Sequence, residues 1–282
     1  MKTLPYKKVV SAIRQMCIEA ACNLPNDVLS KIKDAYREEP FPRAKMILEQ
    51  LITNCQIGSS SNIPICQDTG FAVFFVSMGT DVCISDDKTI IEAINEGTRQ
   101  GYKDGFLRAS IVSDPLFSRT NTFDNTPALV HVEPVKGDTC TITLLPKGGG
   151  CENMSFLRML KPSDGKDGVV KFVTDSVIDS GGNPCPPVIV GVGIGGTSDK
   201  AANLAKKALL REAGSLNPDP LYAKLEKEIL TTINQSGVGP LGLGGKTTAL
   251  AVHIEHFPCH IASLPVAVSL NCHSARKTVI SL

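Results

Sequence analysis

Apolar residues recur at helical spacing between residues 8 and 57, and beyond that further helical segments are interleaved with the short apolar or alternating runs expected of strands. Val9, Val10, Ile13, Met16, Cys17 and Ala20 fall along one helical face. Pro25-Asn26-Asp27 offers a turn and a cap before Val28, Leu29 and Ile32, and Met46, Ile47 and Leu51 open a third apolar series. Past Ser59-Ser60-Ser61, strands are expected over 71–76, 129–132, 139–145 and 186–192, with helices over 89–102, 168–180, 198–210 and 221–233. Residues 247–279 read as β-rich around loops. No internal repeat, low-complexity tract or dividing linker interrupts the series. The expected fold is α+β: a single large domain over residues 1–282, with residues 1–57 its helical N-terminal part.

Composition narrows what such a chain does. Net charge is +1, there is no Trp and only four Tyr, and no block of Lys and Arg occurs. That is a poor match to nucleic acid, which calls for a basic face with stacking aromatics. No apolar run approaches the roughly twenty residues of a membrane helix. A small anionic substrate stays open, because it needs only a few placed cations. Ten cysteines in 282 residues are too sparse for a disulfide framework, and no charged-then-apolar leader follows Met1. The expectation is reduced thiols in a cytoplasmic protein.

Three of those cysteines stand apart. Cys66 in PICQDTG, Cys185 in GGNPCPP and Cys272 in SLNCHSAR sit among Pro, Gly and small polar residues that build turns. Sulfur on a turn is free to act as a ligand, and three such thiols suggest a metal centre with one position left open. The gaps between them are far longer than a CxxC spacing, so the pattern alone does not name the metal. Cys17, Cys22, Cys55, Cys83 and Cys140 lie in periodic segments and are expected to pack as small buried hydrophobes. Cys151 follows three glycines and Cys259 precedes His260, and both readings stay open for them.

Other motifs divide into stronger and weaker ones. Gly191-Val-Gly193-Ile-Gly195-Gly196 fits the dinucleotide fingerprint, with Glu212 about twenty residues on. The segment after Glu212 reads as Asn217-Pro218-Asp219-Pro220 and a further helix, where a Rossmann unit needs a parallel strand. Close strand-to-helix packing is the better account of these glycines. Gly242-Leu-Gly244-Gly245-Lys246-Thr247 lacks the first glycine of a P-loop, since position 240 is Pro, though such a loop can still bind an anion through its amides. His253, His256, Cys259 and His260 are close in sequence but do not have the i, i+4 spacing of a zinc helix. Asp68, directly after Cys66 and Gln67, is a turn residue or, beside a metal-bound sulfur, an acid/base. Arg108 and Arg119 flank residues 110–115 and are solvated charges or carboxylate clamps.

Together PICQDTG, LRASIVSDPLFSRTNTFDNTP, KGGGCENMS, NPCPPVIVGVGIGGTSDKAANLAKKALL and GPLGLGGKTTALAVHIEHFPCHIASLPVAVSLNCHSAR resemble the α subunit of iron–sulfur (class I) fumarate hydratases, with tartrate dehydratase α subunits as close kin. The resemblance runs from about residue 10 to nearly the end, and DNTP and PCPP followed by GVGIGGT lean toward the fumarase side. It implies a [4Fe–4S] cluster held by Cys66, Cys185 and Cys272, with helices and strands arranged around that site. It implies Gln67, Arg108 and Gly149 as substrate contacts, the last through its backbone, and Asp68 and His260 as proton-relay residues. Cys151 departs from the serine common in the family and is not assigned to the metal. The chemistry implied is reversible hydration of fumarate to (S)-malate, the open iron acting as Lewis acid. The single-chain relatives carry a further C-terminal domain that completes the site. This chain reaches Leu282 before any such domain, so a separate β subunit in an α2β2-like assembly is expected. Two rival readings stand beside this one: a tartrate dehydratase α subunit giving oxaloacetate and, from a different class, a cluster-bearing redox sensor or nucleotide-binding protein.

Overall fold

The structure, a computed structural model, describes residues 1–282. In chain order the elements are β1 (Lys2–Leu4), α1 (Tyr6–Cys22), α2 (Asn26–Glu38), α3 (Pro42–Ser61), β2 (Phe71–Gly79), β3 (Val82–Ile84) and α4 (Ile90–Asp104). Next come β4 (Leu129–Val135), β5 (Cys140–Lys147), the single turn α5 (Gly149–Glu152), β6 (Phe156–Leu160) and α6 (Gly165–Ser180). The chain closes with β7 (Val188–Gly195), α7 (Ser198–Ala208), α8 (Pro220–Asn234), β8 (Ala249–Phe257), β9 (Leu264–Asn271) and β10 (Thr278–Ser281). The α+β expectation holds, with three successive helices near the N-terminus and interleaved helices and mixed sheets after them. Contacts gather into two compact units threaded by non-contiguous segments: residues 1–24, 55–149 and 276–282 in the first, and 25–54 and 150–275 in the second. No helix is long and apolar enough to cross a membrane.

The first unit is built on the sheet β10-β5-β2-β4, in which β2 runs antiparallel to β5 and parallel to β4. Its core joins Val10, Ile13 and Met16 of α1, Ala93 and Ile94 of α4, and Phe74, Ile142 and Leu144 of the sheet. Helices α1 and α4 approach closely because α4 presents Gly97 and Gly101. A Cβ on Gly97 would stand 2.5 Å from the Ile13 Cβ, and one on Gly101 2.7 Å from the Cys17 Cβ. Thr89 starts α4 with a reciprocal cap: its hydroxyl accepts from the Glu92 N–H at 3.1 Å while the Glu92 carboxylate accepts from the Thr89 N–H at 2.8 Å. Burial pushes the Cys17 thiol up to about 12, and the thiols of Cys22 and Cys140 shift the same way. Cys83 differs from the other packing cysteines. It is half-buried at the short β1–β3 pairing, with its sulfur 3.3 Å from the Thr3 hydroxyl, because a three-residue edge strand covers only one of its faces.

The second unit has the sheet β6-β9-β7-β8, with β7 parallel to β8 and antiparallel to β9. All eight residues of β7 are buried. Side chains on Gly191 and Gly193 would collide with the carbonyl oxygens of Ala205 and Ala201 in α7. The fingerprint glycines therefore serve tight helix-on-strand packing, as their sequence context suggests.

Candidate active site

The pairing of β2 with β5 brings a turn of the first unit together. Phe71 opposes Lys147, so the residues just before β2 meet those just after β5. At that end Asp68 is gripped through both carboxylate oxygens: Oδ1 accepts from the Gly70 N–H at 3.0 Å and Oδ2 from the Gly149 N–H at 2.7 Å. Gly70 has φ +86°, and a Cβ there would lie 2.8 Å from the Lys147 nitrogen, so this position of the turn requires glycine.

Buried side chains hold the backbone of the same turn. The Tyr102 hydroxyl donates to the Gly70 carbonyl at 2.8 Å, with the Thr69 carbonyl at 3.2 Å, and burial pushes its own ionisation well above the usual phenol range. Asn125 donates to the Gly70 carbonyl at 3.2 Å and accepts from the Ser110 N–H at 2.8 Å. Arg276 donates through Nη2 to the Asp68 carbonyl at 2.8 Å. The Thr69 hydroxyl donates to the Arg108 carbonyl at 3.0 Å, which ties the backbone of Arg108 to this turn and leaves its side chain exposed. Cys66 is half-buried, with its thiol directed to the exposed Gln67 Oε1 at 3.6 Å. Thus Asp68, Gly149 and the Arg108 backbone, three positions the sequence singles out, join one hydrogen-bonded network. Arg119 stands outside it, exposed and donating to the Pro115 carbonyl.

In the second unit Cys185 and Cys272 are carried by adjoining loops, since the His273 N–H donates to the Cys185 carbonyl at 3.3 Å. Cys185 is exposed and takes a left-handed backbone at φ +52°, while Cys272 is half-buried at the end of β9. Cys151 is buried and its thiol donates to the Pro184 carbonyl at 3.4 Å, one residue from Cys185. His260 is exposed on the β8–β9 loop. Its Nδ1 accepts from the Ala262 N–H at 3.1 Å, so the neutral ring carries its proton on Nε2. The exposed Cys259 thiol donates to the Ser263 carbonyl at 3.3 Å.

The remaining motifs resolve as structure. The amide of Lys246 in the glycine-rich loop donates to the buried Glu39 carboxylate at 2.9 Å, so an internal carboxylate already holds the backbone donor that an anion would use. His256 stacks on Tyr222 with ring centroids 4.2 Å apart, and His253 is buried within β8.

No group of three or more His, Cys, Asp or Glu side chains is arranged to hold a metal ion. The chemistry of the donors nevertheless fits an iron–sulfur group. Cys66, Cys185 and Cys272 are partly or fully exposed on turns, whereas Cys17, Cys22, Cys55 and Cys140 are buried and protonated more firmly than a free thiol.

Comparison with known proteins settles the family. The family described as "Fumarate hydratase (Fumerase)" matches residues 10–281. The chain belongs to this family. A Methanocaldococcus jannaschii protein with the provisional name L(+)-tartrate dehydratase subunit alpha is 41% identical over 276 residues, which cover 96% of each chain. Proteins named L(+)-tartrate dehydratase subunit alpha from Escherichia coli and Shigella sonnei are each 34% identical over 283 residues, covering 98% of this chain and 91% of theirs. As a fumerase-family α-type chain it is a hydro-lyase subunit. Its sequence singles out the cysteines and their flanking residues, but Tyr102 and Arg276 escape notice. Tyr102 reads as an ordinary helix residue. The one signal for Arg276 is its place four residues after Cys272 in NCHSAR.

Proposed function

We propose that the chain is the catalytic α subunit of an iron–sulfur dehydratase that removes water from a 2-hydroxy dicarboxylic acid, with L(+)-tartrate as substrate and oxaloacetate as product. The observation that carries the reading is a carboxylate, Asp68, fixed by two amides in the same turn as Cys66. The names of the similar proteins support tartrate, more than malate, as the substrate. Cys66, Cys185 and Cys272 would hold a [4Fe–4S] cluster, which when bound supplies a Lewis acid for the departing hydroxyl.

The chain's own residues divide the rest of the work. Arg108, exposed at its guanidinium and anchored at its carbonyl, takes a substrate carboxylate, and the exposed Gln67 amide orients it. The Gly149 N–H now given to Asp68 Oδ2 is the donor the family resemblance assigns to substrate. A substrate oxygen that captures this amide releases one Asp68 oxygen to take up a proton, so binding arms the base. His260, with its proton on the exposed Nε2, is the second relay residue. A separate β subunit supplies the remaining groups.

The test is anaerobic steady-state kinetics on the reconstituted α chain co-expressed with its β partner, using L-tartrate, (S)-malate and fumarate. A higher kcat/KM on tartrate than on malate is expected, because a site built to bond the additional hydroxyl rejects an acid that lacks it. No elimination from either acid sinks the reading. The second reading, fumarate hydration, draws on the description of the family itself and is selected by the reverse preference.

A further inference from the structure

Arg276 is 2% exposed, yet the fold returns little for its burial. Two buried carboxylates in the chain are engaged through both of their oxygens. Glu226 accepts from Arg211, Asn217 and the Ile254 N–H, and Glu39 accepts from the amides of Lys246 and Phe41. Arg276 makes one hydrogen bond, from Nη2 to the Asp68 carbonyl at 2.8 Å. Its Nε and Nη1 are buried with no protein hydrogen-bond partner. Taking a guanidinium out of water costs more than one bond to a neutral carbonyl returns, so an apolar side chain of similar volume would suit stability as well or better. The single bond that Arg276 does make falls on the residue whose carboxylate the fold holds most firmly in this turn.

We propose that Arg276 is a positioning residue for Asp68. By pinning the Asp68 carbonyl, the guanidinium fixes the peptide plane between Asp68 and Thr69, and so the direction from which the carboxylate meets the amides of Gly70 and Gly149. Tyr102 and Asn125 fix the next carbonyls along, and Arg276 closes the clamp at the residue that carries the chemistry. The catalytic consequence rests on the dehydratase reading above. The clamp itself does not.

Two readouts on the full chain separate these. The first is backbone amide exchange of the segments containing Gly70 and Gly149, with β7 as internal reference. The second is kcat and KM of the reconstituted complex. In Arg276→Met, losing a charge-assisted bond is expected to speed exchange at both glycines by roughly ten- to a hundredfold while β7 and the melting temperature hold. The same variant lowers kcat by about tenfold or more, with KM nearly unchanged, as expected for a group that orients the base without touching substrate. Arg276→Lys, which keeps the charge and one donor, is expected to fall between wild type and Arg276→Met on both readouts. It decides the matter if Arg276→Met does not fold. Unchanged exchange at Gly70 and Gly149, exchange that rises equally in β7, or raised local exchange with an unaltered kcat would each overturn the proposal. A wild-type complex that eliminates water from neither acid sinks the dehydratase reading instead, and the exchange result then decides the clamp alone.

Discussion

The turn at Asp68 and the loops that carry Cys185, Cys272 and His260 hold their functional groups in opposite ways. At Asp68 the side chain is locked by two amides and the backbone by Arg276, Tyr102 and Asn125, each of them buried. In the second unit Cys185 and His260 are exposed, and their loops are held by backbone bonds such as His273 to Cys185 and Ser263 to His260. For Asp68 and the two thiols, the contrast follows from what the group does. A carboxylate that moves a proton must be aimed within a fraction of an ångström. A thiolate that binds a metal is placed in the end by the metal, so its loop need only present it.

The comparison breaks most sharply at the sulfurs. Replacing Cys66, Cys185 or Cys272 by Ser should abolish iron–sulfur absorbance after anaerobic reconstitution. The loss of activity should exceed the roughly hundredfold cost of removing even an outer partner of a metal ligand. Cys17→Ser and Cys140→Ser should keep the spectrum, and a spectrum that survives in all three ligand variants would end the cluster assignment. Asp68→Asn should lower kcat by about a hundredfold to ten-thousandfold. It should also cost about 1–3 kcal/mol in denaturant unfolding, because the new amide nitrogen faces a backbone N–H.

His260→Gln tests the presented side. A fall in kcat of about a hundredfold is expected, with stability within about 0.5 kcal/mol of wild type, since His260 is exposed and its loop is closed by backbone bonds. Equal stability losses in the Asp68 and His260 variants would erase the distinction. Tyr102→Phe removes a hydroxyl from the locked turn and should cost about 1 kcal/mol, read from the shift in urea midpoint. The smallest effect is alkaline. Cys17 stays protonated in the folded chain until about pH 12, while the unfolded thiol ionises near 9.0. Stability is therefore whole below pH 9 and falls as pH rises toward 12, and Cys17→Ala should flatten that slope in a pH series of unfolding curves.

Much of the architecture is legible in the sequence, because long periodic segments announce themselves. The strand expected at 71–76 extends through Gly79, and the helix expected at 89–102 is α4 with Thr89 as its cap. The short elements are not legible. β1 and β3 have three residues each, and β6, Phe-Leu-Arg-Met-Leu, is an edge strand that leaves Leu157 and Met159 half-exposed and shows no alternation. The residue types of the site are visible for a similar reason: cysteines on turns and an aspartate beside one of them need no partner to stand out. What holds Asp68 in place is invisible, because its contact with Gly149 exists only once Phe71 pairs with Lys147. Register is a property of the folded sheet, and no local pattern reports that a distant arginine ends on a particular carbonyl.

The first unit is closed by the last residues of the chain. β10 supplies an edge of its sheet, and Arg276 stands just ahead of that strand. On the ribosome, therefore, the earliest segments to emerge are among the last to find all their partners. α1 and the strand β5 must wait while residues 150–275 are made, and the turn that carries Asp68 lacks its arginine until residue 276 follows them. Synthesis of residues 276–282, more than emergence of the N-terminus, sets the moment at which this half of the chemistry is assembled.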